Sequence, residues 1–461
     1  MMLIRDQAGR TAKLALYSGI AWLFVAAGSG LAAVLAAAGI VPAPVADLQP
    51  VFLNAFLFGW IAMGGTALGL FIIQRTHGVP LHNESLGQFS VWIWNIANAG
   101  GLGALMMGMG SAGPFRGYIW PLQLLWLAGL LLLLFNVART VNRVPEPMFA
   151  STSYFLAALA WGGAVYFAGN GLWLPGGFGV NPLAALFQGM YAQSVVWLWA
   201  VPLGAGAALY AAAAASGRPL YSRQLANVGL WGLALHAATG VQRLWGAAVP
   251  EWVQATSVGA GALTVVATLA LFINVTRTVG EGPQAGAVYA TPSGRALRFG
   301  TWLLAVTGVL AALQPLSLFQ PYIQGTQWSV APHLTALLGA TLLMFAGLYE
   351  LLPMLRQPKD RPDELLYDLK VAGRHVKLSC WGAGLMTAGL WAGGTLQVLA
   401  RSSFGAGANL AGAAAPALLL QAAGLALLLA GQLFFVGIVA KAAAVRGRVE
   451  LPVVVTDPSG E

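Results

Sequence analysis

This chain is expected to fold as an all-α integral membrane protein. About twelve transmembrane helices would form three four-helix pseudo-repeats, with both termini in the cytoplasm. Composition, a train of apolar runs and a set of recurring landmarks each lead there. The 461 residues are 58% hydrophobic and 8% charged, with a mean hydropathy of +0.74. A bilayer requires that much apolar surface, and a soluble core does not.

Taken in order, the apolar runs cover roughly residues 14–40, 51–74, 88–112, 119–138, 149–169 and 182–215. The second half adds roughly 222–248, 252–276, 297–317, 330–355, 375–400 and 411–440. Each can cross a hydrocarbon core about 30 Å thick. The first follows a short basic tail, Met1 to Lys13, with no small-residue cleavage site at the right distance, so it is read as a retained helix. The longest polar stretch, about residues 356–374, reads as a charged connector and not as a domain. The many glycines, 59 in all, suit helices that pack closely in lipid. Gly100-Gly101-Leu102-Gly103 lies inside an apolar run, so close packing is the expected role and phosphate binding is not.

The landmarks divide the chain. His77-Gly78-Val79-Pro80-Leu81, then Leu86 and Trp92, returns as Ser216-Gly217-Arg218-Pro219-Leu220, then Leu225 and Trp231, at an offset of 139. Leu366-Tyr367-Asp368-Leu369 is a fainter echo of Leu220-Tyr221-Ser222-Arg223. Phe135-Asn136-Val137-Ala138-Arg139-Thr140-Val141 returns as Ile273-Asn274-Val275-Thr276-Arg277-Thr278-Val279, and Val436 to Lys441 is a worn third member. Repetition at this period means one supersecondary unit used several times. The units fall at about 1–147, 148–284 and 285–461, within a single membrane domain 1–461.

Charge sets the orientation. With both termini and the even-to-odd loops cytoplasmic, every Lys and Arg lies inside except Arg116, Arg243 and Arg401. That is a positive-inside distribution. The net charge of +9 is then topology and an attraction for anionic lipid, not a nucleic-acid footprint. Cys380 is alone, so neither an intramolecular disulfide nor a thiolate cluster can form within this chain.

Several stretches resemble subunit I of the haem–copper oxidases and nitric oxide reductases, most nearly the C-type, high-affinity cytochrome c oxidase branch. Asn54-Ala55 through Gln74-Arg75-Thr76 resembles that branch's helix two. Gly217-Arg218-Pro219-Leu220-Tyr221-Ser222 resembles its loop after helix six, and Pro250-Glu251-Trp252 its Pro-Asp-Trp after helix seven. Thr326-Gln327-Trp328 resembles the Thr-Asp-Trp before helix ten. Leu366-Tyr367-Asp368-Leu369-Lys370 with His375 resembles the start of helix eleven.

The resemblance implies a set of histidine ligands. In the family, one histidine on helix two and one on helix ten hold a low-spin haem. A second on helix ten holds the active-site haem, and one on helix six with an adjacent pair on helix seven holds copper. Imidazole binds both metals well, and an apolar side chain cannot replace it. This sequence departs at those positions. The helix-two position falls near Phe52 or Leu53. Gly189-Met190-Tyr191-Ala192-Gln193-Ser194 puts Gln193 at the helix-six copper position. Gly240-Val241-Gln242-Arg243-Leu244-Trp245 puts Gln242 and Arg243 at the copper pair. Pro332-His333-Leu334 stands where the family has His-Val-His, with His333 on the intervening residue; a slip of one would make it a ligand position. Arg243 stays protonated and only donates, so a polar plug of Arg243, Gln193 and Gln242 is expected in the former metal cavity. Glu350 is the one carboxylate well inside an apolar run, so no acidic chain for protons is apparent.

Other candidates have plain readings. His236 is expected to be a buried imidazole bonded to a carbonyl, and His333 to be interfacial after Pro332 at the start of its helix. The alternative for both is a residual haem ligand. His77, His82 and Glu84 share a loop without an apparent fourth ligand, so a metal there is not expected. The structural role of His375 needs no chemistry. Tryptophans such as Trp92, Trp94, Trp197, Trp199 and Trp391 are expected to anchor and pack.

The leading expectation is therefore a subunit-I-like scaffold without haem or copper, not an enzyme by itself. It would sit in a bacterial-type inner (plasma) membrane as part of a respiratory or other redox complex. Bound lipid, further membrane subunits and a c-type cytochrome are the implied partners. One alternative is an electron-transfer subunit of the oxidase or nitric oxide reductase kind that retains one haem. Another is a transporter or channel that uses the vacated cavity, although paired inverted repeats are absent from the sequence.

Overall fold

The computed structural model describes residues 9–110, 115–143, 148–174, 183–236, 250–316, 318–352 and 367–444. They form helices and turns, with no strand among them. Twelve long helical stretches follow one another. They are α1 (Arg10–Ala37), α2 (Val45–Asn54, Ala55–Ile61 and Ala62–His77 run together), α3 (Glu84–Met106) and α4 (Trp120–Val141). Next come α5 (Ala150–Gly169), α6 (Leu183–Ser194, Val195–Ala200 and Val201–Ser216 run together), α7 (Arg223–Leu235) and α8 (Glu251–Gly280). The last are α9 (Pro292–Leu313), α10 (Ala331–Leu351), α11 (Leu369–Phe404) and α12 (Leu410–Ala444).

Eight of these are long and apolar enough to cross a membrane: α1, α2, α4, α6, α8, α9, α10 and α12. The chain is a multi-pass, all-helical membrane protein. α3 is less apolar because it carries amides that its neighbours use. Asn95 donates to Ser18 Oγ at 2.9 Å and accepts from Trp22 Nε1 at 2.9 Å. Asn98 donates to the Phe58 carbonyl at 2.9 Å and accepts from the Tyr118 hydroxyl at 3.0 Å. In lipid such bonds join helices that the hydrophobic effect does not.

The echoed landmarks turn out to be loop clasps. Asn83 caps α3 by accepting from Leu86 N, and Ser222 caps α7 by accepting from Leu225 N. Asp368 caps α11 by accepting from Lys370 N. Asn136 on α4 accepts from Asn83 N at 2.9 Å and donates to the Asn83 carbonyl at 2.7 Å, while Thr140 accepts from His82 N at 2.8 Å. Asn274 on α8 makes the same pair with Ser222 N at 3.2 Å and its carbonyl at 2.8 Å, and Thr278 accepts from Tyr221 N at 3.0 Å. The sequence echo is thus the Asn and Thr that satisfy backbone groups just ahead of a helix. The worn member, Val436–Lys441, contains neither Asn nor Thr and so lacks the side chains of this clasp.

The bundle has a clear centre. The apolar windows of α2 and α6 are wholly buried, and that of α10 nearly so. α10 packs against α6 and α9, and α11 lies along α12. That last pair approaches at Gly382 and Gly424: a Cβ on either would lie 2.7 Å from the other's carbonyl oxygen. Gly101 likewise admits the Tyr118 ring and Gly100 packs on Leu122, whereas Gly103 meets nothing within 4 Å. Trp94, Trp197 and Trp199 are fully buried in this interior, so they pack the core and do not anchor an interface.

Candidate functional site

The three central helices carry the candidate positions. α6 brings Gln193, and the first turn of α10 brings His333. The first turn begins at Ala331 with Pro332 at a position where a missing N–H costs nothing. The Gln193 Oε1 and His333 Nε2 atoms are 2.6 Å apart, and both side chains are buried. An amide oxygen only accepts, so Nε2 carries the hydrogen and its lone pair is not offered to a metal. The expectation of an interfacial His333 gives way to an imidazole inside the bundle. The signal lay in the copper-position alignment of Gln193, which supplies its partner.

His236 closes α7 and is buried. Its Nδ1 is bonded to the Thr264 hydroxyl on α8, and its ring lies against Trp197 at 5.3 Å. The Thr264 hydroxyl reaches it from the next helix. Gln242 and Arg243 lie outside the described residues, as does the plug expected from them.

Phe52 and Leu334 meet on a second feature. They line one apolar cleft with Leu23, Ala26 and Ala27 of α1, Met386 of α11 and Leu425, Leu428 and Gln432 of α12, among others. Phe52 stacks on Phe56 at 5.9 Å, and its ring fills the space over Gly30, where a Cβ would lie 2.8 Å away. The positions that the family resemblance pairs across a haem therefore do face one cavity. Imidazole is the axial donor the resemblance calls for there, and none is found among the described residues that line the cavity, where the one thioether is that of Met386. The residues present do not fit a haem held between two axial histidines. Among the described residues, no group of three His, Cys, Asp or Glu side chains could hold a metal ion.

The loop triad separates. His77 Nε2 is 3.0 Å from the Thr152 hydroxyl, and His82 Nδ1 is 2.6 Å from an Arg143 guanidinium nitrogen. The buried Glu84 carboxylate accepts from Gly9 N at 2.8 Å, Thr11 N at 2.9 Å and the Thr11 hydroxyl at 2.6 Å. It caps α1 from a distance in sequence that no local capping pattern would find.

Sequence reasoning missed two π-helical segments, Ala55–Ile61 in α2 and Val195–Ala200 in α6. Such segments shift the helical ladder and re-aim side chains, and they gather at functional sites. They coincide at the same repeat offset, with Phe58 and Trp60 matched by Trp197 and Trp199. That recurring aromatic pair was the available signal. The Phe58 carbonyl in the first segment is taken up by Asn98. Phe58 and Trp199 rings lie 5.8 Å apart, and both pack on Trp126. Each π-segment begins within three residues of a candidate ligand position, Phe52 in one helix and Gln193 in the other.

Comparison with known proteins agrees with this geometry. Residues 10–427 match the family described as cytochrome c and quinol oxidase polypeptide I. The chain is 23% identical over 391 residues to the cbb3-type cytochrome c oxidase subunit CcoN1 of Stutzerimonas stutzeri, covering 76% of this chain and 74% of that one. It is 24% identical over 371 residues to a cytochrome c oxidase subunit 1 homolog of Agrobacterium tumefaciens, covering 76% and 66%. It is also 23% identical over 371 residues to cytochrome c oxidase subunit 1 of Rhodobacter capsulatus, covering 76% and 67%.

Proposed function

Since the chain belongs to the cytochrome c and quinol oxidase subunit I family, we propose that it keeps the family's helical frame without the haem and copper sites. It acts as a non-catalytic scaffold in a respiratory or other redox membrane complex. The observation that carries this reading is the buried Gln193–His333 bond, which joins a copper-ligand position to the one histidine of α10. A bond of this kind satisfies both groups without a metal. The apolar faces of Phe52 and Leu334 toward their shared cleft support it too.

The same reading takes all twelve helices as spans in three four-helix units, with both termini cytoplasmic, in a bacterial-type inner membrane. The two identical clasps and the positive-inside distribution support this arrangement. The partners are membrane lipid and other subunits of the complex, a c-type cytochrome among them. A pyridine haemochrome assay with copper analysis on the purified protein tests the reading. Neither haem nor copper above background is the expected result, and stoichiometric haem plus copper ends the proposal.

A second reading follows from the burial of His333 within the bundle. One haem is retained there, with His236 or a partner's residue on its other face. A Soret band lost on His333→Ala would establish this reading in place of the first.

A further inference from the structure

The far end of α3 gathers soft donor atoms at the surface. Met106, Met107 and Met109 are 65%, 70% and 53% exposed. The other methionines among the described residues, Met63, Met148, Met190, Met344 and Met386, are buried or half-buried. The exposed thioethers of the described chain therefore all fall in one short stretch of sequence.

Backbone bonds hold that stretch in a fixed turn. Gly108 is left-handed, at φ 71°. Its N–H donates to the Leu105 carbonyl at 3.0 Å, and the Met109 N–H donates to the Ala104 carbonyl at 2.8 Å. This pair of bonds is a Schellman closure, which folds Met109 back onto the last turn of the helix that carries Met106. Leu105 is buried beneath it, and a Cβ on Gly110 or Gly117 would lie 2.5 or 2.6 Å from its side chain. The leucine is pinned inward, and the methionines on either side of it are left outward.

We propose that Met106, Met107 and Met109 form a binding site for copper(I). A thioether is a soft, uncharged sulfur donor, and such donors select Cu(I) over harder divalent ions. Methionine is unbranched and has three rotatable bonds. Three residues of chain span at most about 11 Å even when fully extended, so the three sulfurs can converge on one ion. Residues 104–110 contain no His, Cys, Asp or Glu, so the stretch offers a borderline ion such as Zn(II) none of its usual ligands. The proposed orientation puts this end of α3 outside the cytoplasm. The inference goes beyond the scaffold reading and does not rest on the loss of haem.

The full chain in phosphatidylcholine nanodiscs is washed with a copper chelator. It is then dialysed to equilibrium against Cu(I) kept reduced by ascorbate under argon. Saturable binding of Cu(I) is expected, with sulfur as the nearest neighbour in X-ray absorption, and Zn(II) at the same concentration is not retained. Met107→Leu leaves two sulfurs and is expected to weaken binding. The triple variant M106L/M107L/M109L is expected to lose it. Leucine conserves volume and apolar character, so a role in lipid contact alone survives these changes. Thermal melting of each variant shows that it is folded. A thioether has no proton to lose, so occupancy is expected to stay constant between about pH 5 and about pH 8, where a histidine ligand would change charge.

No saturable Cu(I), binding that survives the triple variant, nitrogen or oxygen as the nearest neighbour, or occupancy that falls with acid each overturns the proposal. The three methionines are then lipid contacts. The wash strips an exposed site and spares a buried one. Copper that resists it counts against the proposed scaffold, whereas a copper-free protein that takes up no Cu(I) refutes this site alone.

Discussion

The Gln193–His333 bond can be weighed by a double-mutant cycle. Gln193→Leu removes the acceptor of this bond at nearly constant volume. The bond measures 2.6 Å and both side chains are under 5% exposed, so water cannot take the acceptor's place. A buried donor left unmade costs about 1–3 kcal/mol. His333→Leu leaves the Gln193 oxygen in the same position and should cost a similar amount. The double variant removes both members of the bond at once. Interhelical bonds in membranes measure about 0.6 kcal/mol on average and about 1.7 kcal/mol at most. The expected coupling is therefore about 0.6–1.7 kcal/mol, within that range and toward its upper end for so short and dry a pair. Reversible unfolding in mixed micelles, followed by tryptophan fluorescence, measures it. Single effects that add to within about 0.3 kcal/mol would refute the reasoning, since independent sites add to that tolerance. A coupling that appears only in preparations containing haem would refute the metal-free site as well.

Other outcomes follow from the same contacts. Glu84→Gln keeps one amide oxygen but loses the charged cap of α1, costing about 1–2 kcal/mol, and hydrogen exchange at residues 10–13 should accelerate. Asn136→Leu and Asn274→Leu should cost equal amounts, about 1–3 kcal/mol each, because each opens the same pair of backbone bonds; unequal losses on thermal melting would argue against equivalent clasps. Asn98→Leu should expose the Phe58 carbonyl to an apolar surround at about 1–3 kcal/mol, and an unchanged melting temperature would remove Asn98 as the support of the π-segment. Gly424→Leu should separate α11 from α12, read as loss of cross-linking between cysteines placed on the two helices.

Much of the helical membrane frame was legible because membrane helices announce themselves by composition. The Asn and Thr of the clasps were visible as letters at fixed offsets, though not as bonds, because their partners lie more than fifty residues away. Gln193 was legible as a departure from a ligand pattern, yet its partner was not. The pairing needs α6 and α10 side by side, and periodicity within one helix carries no such information. His236 shows the same limit: burial was readable from its apolar run, but the Thr264 hydroxyl on the next helix was not. The π-segments left one signal, the recurring aromatic pair of Phe58 and Trp60 against Trp197 and Trp199, because the other residues of Ala55–Ile61 and Val195–Ala200 are ordinary helix-core residues. Only Asn98, on another helix, shows where a displaced carbonyl is satisfied. Glu84 was placed with two loop histidines by proximity in sequence, while its real partners are the backbone groups at the start of α1.

On the proposed loss of the cofactors, the frame would stand on contacts that need no ligand. The close contacts that hold the bundle use backbone, small residues and amides: Gly382 on Gly424, Asn136 on Asn83, Asn274 on Ser222. None of them passes through a ligand position. The positions that would touch a cofactor sit on α2, α6 and α10, the most buried helices, where an unpaired polar group costs most. Substitution there has two stable solutions. One is to become apolar, as Phe52 and Leu334 do toward their cleft. The other is to pair, as Gln193 and His333 do. A lone histidine or amide without a partner would be the unstable choice.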